Sequence, residues 1–528
     1  MHNLLTDPLI RVRLTNGASA TKSLPEVYEA LSADRIAAFS ALRPHQRHAW
    51  HAFLAQLGVI AVQRSGGTTL PRRAGEWCAL LRGLTPGFNA DEPWRLVVDD
   101  PAQPAFMQCP APNGIRQYRG RVVTPDDLDI LVTAKNHDVK RTVAAGCAPD
   151  DWMLALIDLQ TMAGFLGAGN YGIARMNGGF SARPCLGLAP TDGGLGAHLF
   201  SDMQRMLAGR TSLLDRHPEY FDPEHGLALL WLEPWDGATA LDLRQLDPFF
   251  IEICRRVRLR LENRAIVAWT AASKTARVAA KEARGNVGDF WTPVSKKDAV
   301  ALSLSGVGFR YDRLAKLMFD RKSYDLPPAM RIDSTRQGPW KVVARGVAGG
   351  QGKTEGYHER SDIAFDNKTT VALGRQAGRD ALEEISKAQI EEIEEVEKAL
   401  RFGIAVAASG GKPAEDLAKT DRMHANPYAR RLDEAANAEF FSALDRRFVA
   451  ADDEQRAAAA RAEFVRDMIG AAHALLDEAI DAVPCPAMWR YRARARATSA
   501  FYGRLRRPRS VFSDQPEIFE AQEAHNAA

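Results

Sequence analysis

From about residue 370 the chain admits few folds. Leu382, Ile385, Gln389, Ile393, Val396 and Leu400 recur at helical spacing. They stand beside a dense acidic face of Glu383, Glu384, Glu391, Glu392, Glu394, Glu395 and Glu397. Phe440, Phe441, Leu444 and Phe448 mark a second helix. Phe464, Met468, Ile469, Ala472, Leu475, Leu476 and Ile480 mark a third. Trp489 to Leu505 makes a fourth, with Arg490, Arg492, Arg494, Arg496 and Arg504. Long helices with apolar stripes bury them against one another, so the spacing predicts a four-helix bundle over 369–512. The acidic first helix and the basic last one are candidates to pair, although such arginines can also face phosphates. The polar stretch 513–528 reads as a disordered tail.

Residues 1–368 mix strand-like and helical pieces, which alternate over 185–270. Leu9, Ile10 and Val12 precede Asn16-Gly17, a hairpin dipeptide, and Ser23 precedes a helix that carries Pro25 in its first turn. Pro44 to Arg64 reads as a core helix through Trp50, Phe53, Leu54, Leu57 and Ile60, and Asp151 to Met162 as another. Leu227 to Trp235 and Ile266 to Trp269 are β-prone. The expected class is α+β: a large mixed α/β domain over 1–368, then the bundle.

With 69 basic and 66 acidic residues, net +3, bulk charge makes no polyanion-binding surface, so any such surface must come from local clustering. Cysteines 78, 109, 147, 185, 254 and 485 form no C-x-x-C pair, which points away from a zinc ribbon and suits a reducing cytoplasm. The first residues lack the pattern of a signal peptide, and no apolar run is long enough to span a membrane.

Within the first domain, Gly164 to Pro184 reads GFLGAGNYGIARMNGGFSARP, six glycines in twenty-one residues. Glycine lets backbone approach another molecule closely. The interleaved Asn170, Tyr171, Arg175, Asn177 and Arg183 bring donors suited to phosphates or base edges. The stretch contains G-x-G-x-x-G at Gly167, Gly169 and Gly172, with Asp192 at the expected distance, but a helix precedes it and Gly178-Gly179 leaves no room for a helix after it. A dinucleotide site is therefore not expected. The alternative is a Gly-rich connector.

Two basic loops are further candidates: 131–141, with Lys135, Asn136, His137, Lys140 and Arg141, and 273–284, with Lys274, Arg277, Lys281 and Arg284. A lysine on such a loop can reach a groove as a point charge. After the strand-like Lys341 to Arg345, Gly352-Lys353-Thr354 is similar to a P-loop, but the spacing is off by one and no good helix start comes after it. A hairpin tip bearing Gln351 between Gly350 and Gly352 fits better. His45, His48 and His51 repeat every third position, so the outer two point about 120° apart on a helix. With no carboxylate or thiol near them in sequence, no metal is expected there. No catalytic motif stands out, which leans toward a binding protein.

Six stretches in order, NLLTDPLIRVR, LRPHQRHAWHAFLAQLG, PAFMQ, GNYGIARMNGGFSARP, GNVGDFWTP and the helical C-terminal region, resemble the CasA family, the large subunits of the type I-E CRISPR effector complex Cascade. The resemblance implies a protein that is not an enzyme and carries no cofactor. It implies assembly with the other Cascade subunits and crRNA, and reading of the protospacer-adjacent motif (PAM) of target double-stranded DNA from the minor groove. It further implies help in opening the duplex and recruitment of a helicase-nuclease. On this resemblance Gly167, Gly169 and Asn170 form a glycine loop, and Gln351, between Gly350 and Gly352, a wedge. Lys281, chosen for its distance to Trp291, is the lysine finger, with Lys274 the alternative. Lys135, Asn136 and His137 contact crRNA or a neighbouring subunit. Some relatives carry a cysteine cluster where this chain has only Cys254, so no zinc is predicted. A nucleotide-dependent enzyme using Gly352-Lys353-Thr354 and a scaffold without DNA readout remain as alternatives.

Overall fold

A computed structural model describes residues 1–128, 147–320, 322–332, 339–350, 353–508, 510–513 and 518. It divides into two compact units. One is Met1–Phe309 with Arg321–Arg331 and Pro339–Asp362; the other is Arg310–Asp320 with Ile332–Gly338 and Ile363–Ala528.

The first unit opens with a hairpin of β1 (Ile10–Leu14) and β2 (Ser19–Lys22), turning where Asn16-Gly17 predicts, with Gly17 at φ +85°. Next comes α1 (Leu24–Ser32), where the Ser23 N–H donates to the Glu26 carboxylate at 2.7 Å, and then β3 (Ile36–Phe39), which pairs with β1. The helix α2 (Arg47–Arg64) is the spine of the unit. It is apolar on nearly every face because α3 (Ala74–Gly83), α4 (Pro149–Met162), α5 (Leu195–Arg216) and β7 (Leu246–Ile251) all pack on it. Within the apolar run 227–235 only β6 (Leu227–Leu229) is strand; the chain then tightens into a 3-10 turn that buries Trp231.

The remaining strands form small antiparallel sheets. β4 (Gly120–Val122), β9 (Ala265–Ala271) and β8 (Arg256–Glu262) make one, with β9 central. β10 (Val294–Ser295), β11 (Val300–Ala301) and β12 (Tyr324–Asp325) make another. The third sets β13 (Trp340–Gly350) between β14 (Lys353–Phe365) and β5 (Cys185–Pro190), in a register that runs from Trp340 opposite Pro190 to Arg345 opposite Cys185. This sheet and α4 hold the two ends of the glycine-rich stretch.

In the second unit α6 (Tyr311–Phe319) and α7 (Asn367–Leu373) accompany α8 (Gln376–Ala408), α9 (Lys419–Met423), α10 (Asn426–Ala450), α11 (Glu454–Ala482) and α12 (Arg490–Leu505). α8 packs against α10, α11 and α12, which builds the four-helix bundle. Its acidic face is partly turned inward. Glu392 is buried between Arg447, 2.7 Å away, and Arg461, 2.6 Å away, and Gln389 donates to the Phe440 carbonyl at 2.7 Å. The acidic and basic helices do pair. Arg507, just past α12, reaches Glu395 at 2.7 Å, while Arg492 and Arg496 donate to the Gly410 and Gly411 carbonyls at 3.0 and 2.6 Å, where α8 ends. The partial negative charge at a helix C-terminus suits those guanidinium groups. The tail expected over 513–528 lies outside the described residues except for Ser513 and Ile518. Among the described residues no helix is long and apolar enough to cross a membrane.

Candidate nucleic-acid interface

The glycine-rich stretch leaves α4 and folds back on itself before entering β5. Phe165 N–H donates to the Gly179 carbonyl at 3.0 Å, and Arg183 N–H to the Met162 carbonyl at 2.9 Å, so its two limbs run side by side. Between them the chain makes a tight turn. Asn170 N–H donates to the Gly167 carbonyl and Leu166 N–H to the Asn170 carbonyl, both at 3.0 Å. Gly169 takes φ +88° at the third position of this turn, where a left-handed residue is required. Leu166, Ala168 and Asn170 are exposed at the tip.

The glycines do different work. A Cβ on Gly164 would lie 2.1 Å from the Ser181 carbonyl oxygen, and one on Gly172 would lie 2.7 Å from the Gly164 carbonyl carbon. Those two let the chain pack on itself and are not free for a ligand. Gly167 has open space around it and needs glycine only for φ +109°. Gly169 is constrained twice, by its φ and by the Ala272 Cβ, 2.9 Å from where its own would stand.

Each limb meets a second candidate loop. Ser273 N–H donates to the Gly169 carbonyl at 3.0 Å, so the chain leaving β9 braces the turn and puts the exposed Lys274 one residue from it. Lys281 is also exposed but sits in a separate turn, closed by Arg284 N–H to the Lys281 carbonyl at 3.2 Å. The other limb runs beside the end of β13. Ala182 N–H donates to the Val347 carbonyl at 3.3 Å, and Gly349 lies against Phe180, whose carbonyl oxygen would be 2.0 Å from an added Cβ. β13 ends at Gly350 and β14 begins at Lys353; the residues joining them, Gln351 and Gly352, lie outside the described residues, as do Lys135, Asn136, His137, Lys140 and Arg141. From Lys353 the chain is strand, with Thr354 buried, so a P-loop has no helix N-terminus here to receive phosphates.

The arginines of the stretch are not surface donors, contrary to the expectation from their spacing. Arg183 makes a two-pronged pair with Asp289 at 2.6 and 2.8 Å, and Arg175 stands 3.3 Å from Glu252 and over the Phe250 ring. All four charged groups are buried. Burial pushes the Asp289 carboxyl up, but Arg183 and Arg175 outweigh it and hold the group below its ordinary value. For Glu252 burial wins over the same two arginines, and its carboxyl sits above the usual range. Asn177 is likewise structural, donating to the Ala301 carbonyl at 3.0 Å and to Ser303 at 2.7 Å. In the basic loop Arg277 is buried over Trp235 and donates to the Glu233 carbonyl at 3.0 Å. A buttress invisible in the sequence is Arg255, which donates to the Gly164 carbonyl at 3.0 Å and to the Tyr171 carbonyl.

The histidine triplet also departs from expectation. His45 and His48 are buried, and burial holds the His48 imidazole neutral, pushed down to about 3. His51 does have a carboxylate partner: its Nε2 lies 2.9 Å from Asp202 Oδ2 on α5.

Residues 3–202 match the family model of CRISPR-associated protein Cse1. Over those residues the chain is similar to the Cse1 family. Its fold agrees beyond that span. Cse1 from Acidimicrobium ferrooxidans is 14% identical, with 96% of this chain and 98% of that chain covered and a TM-score of 0.62. CasA (Cse1) of Thermus thermophilus is 16% identical, with 95% and 98% covered and a TM-score of 0.59. Thermobifida fusca Cse1 is 14% identical, with 96% and 97% covered and a TM-score of 0.59. No curated protein sequence matches. The family model matched over residues 3–202 agrees with the family that the six ordered stretches resemble.

Proposed function

We propose that this chain is the motif-reading large subunit of a crRNA-guided surveillance complex of the Cascade type, working in the cytoplasm by binding rather than catalysis. It reads a short motif in duplex DNA through the minor groove, helps open the adjacent base pairs, and recruits the helicase-nuclease once guide and target have paired. The observation that carries this reading is convergence. The turn at Gly167–Asn170 is braced by Ser273 beside Lys274, and the same stretch lies along the strand that leads to Gln351. A bare-backbone turn suits a groove about 6 Å wide, in which readout is degenerate. Gln351, with Gly350 and Gly352, is the wedge, and unstacking a base step costs a few kcal/mol that wider contact offsets. The loop with Lys135, Asn136 and His137 serves the crRNA and subunit contacts.

Placement favours Lys274 over Lys281 as the lysine finger, because Lys274 comes directly after the residue bonded to Gly169. In the assembled complex at fixed salt, Lys274→Ala is expected to weaken duplex binding about 10-fold, equivalent to about 1.4 kcal/mol, with Lys281→Ala within about 2-fold of wild type. A loss only in Lys281→Ala would reverse the assignment, and an equal loss in both would remove it. Unchanged binding in every loop variant, with assembly intact, would leave the scaffold reading in its place.

A further inference from the structure

Three donor groups from two helices meet where α2 packs on α5. His51 comes from α2; His198 and Asp202 lie one turn apart on α5. His51 Nε2 is 2.9 Å and His198 Nε2 is 3.7 Å from the same atom, Asp202 Oδ2, and all three donors lie within 4.8 Å of one another. The two imidazole rings stack with centroids 4.2 Å apart. Among the described residues His198 Nε2 is buried with no hydrogen-bond partner. An ion bonded to three such donors at about 2.1 Å with tetrahedral angles needs them about 3.4 Å apart; the two histidine–aspartate edges, 2.9 and 3.7 Å, lie within a few tenths of an ångström of that, and the histidine–histidine edge closes within 4.8 Å.

The surroundings match what a metal ligand set requires. Asp202 is oriented by two further groups: Arg205 bonds its Oδ1, and Trp291 Nε1 donates to Oδ2 at 2.9 Å. Partners that fix a ligating carboxylate are the usual outer shell of a metal centre. Both histidines line a cavity of about 20 Å³ together with His48, Cys185, Gly187, Trp291, Val343 and Arg345. That space holds one water-sized occupant. Among the described residues, the one cation lining it, Arg345, is paired with Glu359 at 2.8 Å, so its charge is compensated.

We propose that His51, His198 and Asp202 bind a divalent transition ion of the zinc class, with the fourth position open to this cavity. Two imidazoles and one carboxylate are a nitrogen- and oxygen-donor set that zinc accepts, and three protein ligands with one open position is a geometry it commonly takes. The ion joins α2 to α5 beneath Trp291. It is unrelated to the cysteine cluster of some relatives, and the spacing of His45, His48 and His51 gives no hint of it because two of the three ligands come from another helix.

The test uses the full chain, loaded with zinc chloride, desalted and analysed for metal. The expected result is about one zinc per chain, a Tm raised by zinc and lowered by a chelator, and loss of both metal and shift in His198→Asn and His51→Gln. Cobalt loading of the wild type gives a second readout that needs no variant. Strong visible absorption of tetrahedral cobalt without a thiolate charge-transfer band is expected. No retained zinc in the wild type, equal zinc in folded variants, or a thiolate band in the cobalt protein would overturn the proposal.

Discussion

Replacing Asp289 with alanine is expected to destabilise the first unit by about 3–5 kcal/mol, the range for breaking a buried ion pair from one side. The substitution leaves Arg183 buried with its two-pronged partner gone, and Arg175 with only Glu252. It also removes the acceptor for Trp291 N–H at 2.9 Å and for the Thr292 hydroxyl at 3.1 Å. Denaturant unfolding followed by tryptophan fluorescence measures the cost. The paired change Arg183→Met with Asp289→Leu is expected to cost less than Asp289→Ala alone, because an apolar pair leaves no uncompensated charge. A loss below about 1 kcal/mol in the single variant would mean that the cluster does not hold the glycine-rich stretch in place.

Gly169→Asp is the second large effect, and it falls on binding. The new Cβ must occupy a position 2.9 Å from the Ala272 Cβ, on a backbone at φ +88° that costs an L-residue about 1–2 kcal/mol. The turn must open, and on the proposed function its new carboxylate would face a polyanion. In the assembled complex a loss of duplex affinity of about 100-fold, about 2.7 kcal/mol, is expected, with subunit assembly unchanged. Gly167→Ala supplies the contrast: an added Cβ there meets open space, so only the strain of φ +109° is felt and the loss is smaller. Equal affinities for Gly169→Asp and wild type would remove the turn from the interface.

Local interactions are legible in the chain; distant ones are not. The α8, α10, α11 and α12 stripes, the Ser23–Glu26 start of α1 and the Asn16-Gly17 turn depend on residues within a few positions, and each stands where spacing places it. The run at 227–235 is ambiguous because an apolar segment suits a strand and a buried turn equally. Charged residues are harder. Arg175, Arg183 and Arg277 have the composition of a phosphate-binding surface, yet their partners lie far along the chain, at Glu252, Asp289 and the Glu233 carbonyl. Spacing carries no information on burial by distant segments. The same reason hides Asp202 from His51, 151 residues away, and hides Arg255 behind the glycine turn. That Gly169 meets Ala272 and Ser273 is also a long-range fact; only the glycine itself, in a stretch with no strand before it and no helix after it, hints at a special backbone.

The central claim is that Gly169, Lys274 and Gln351 read one short motif together. The most direct measurement is the affinity of the reconstituted complex for a panel of duplexes that share one target sequence and differ only in the bases beside it, at one salt concentration. The account predicts affinities that spread over about 10-fold or more among motifs, about 1.4 kcal/mol, with the spread collapsing in Gly169→Asp. A wild-type complex that binds every duplex in the panel equally would contradict it.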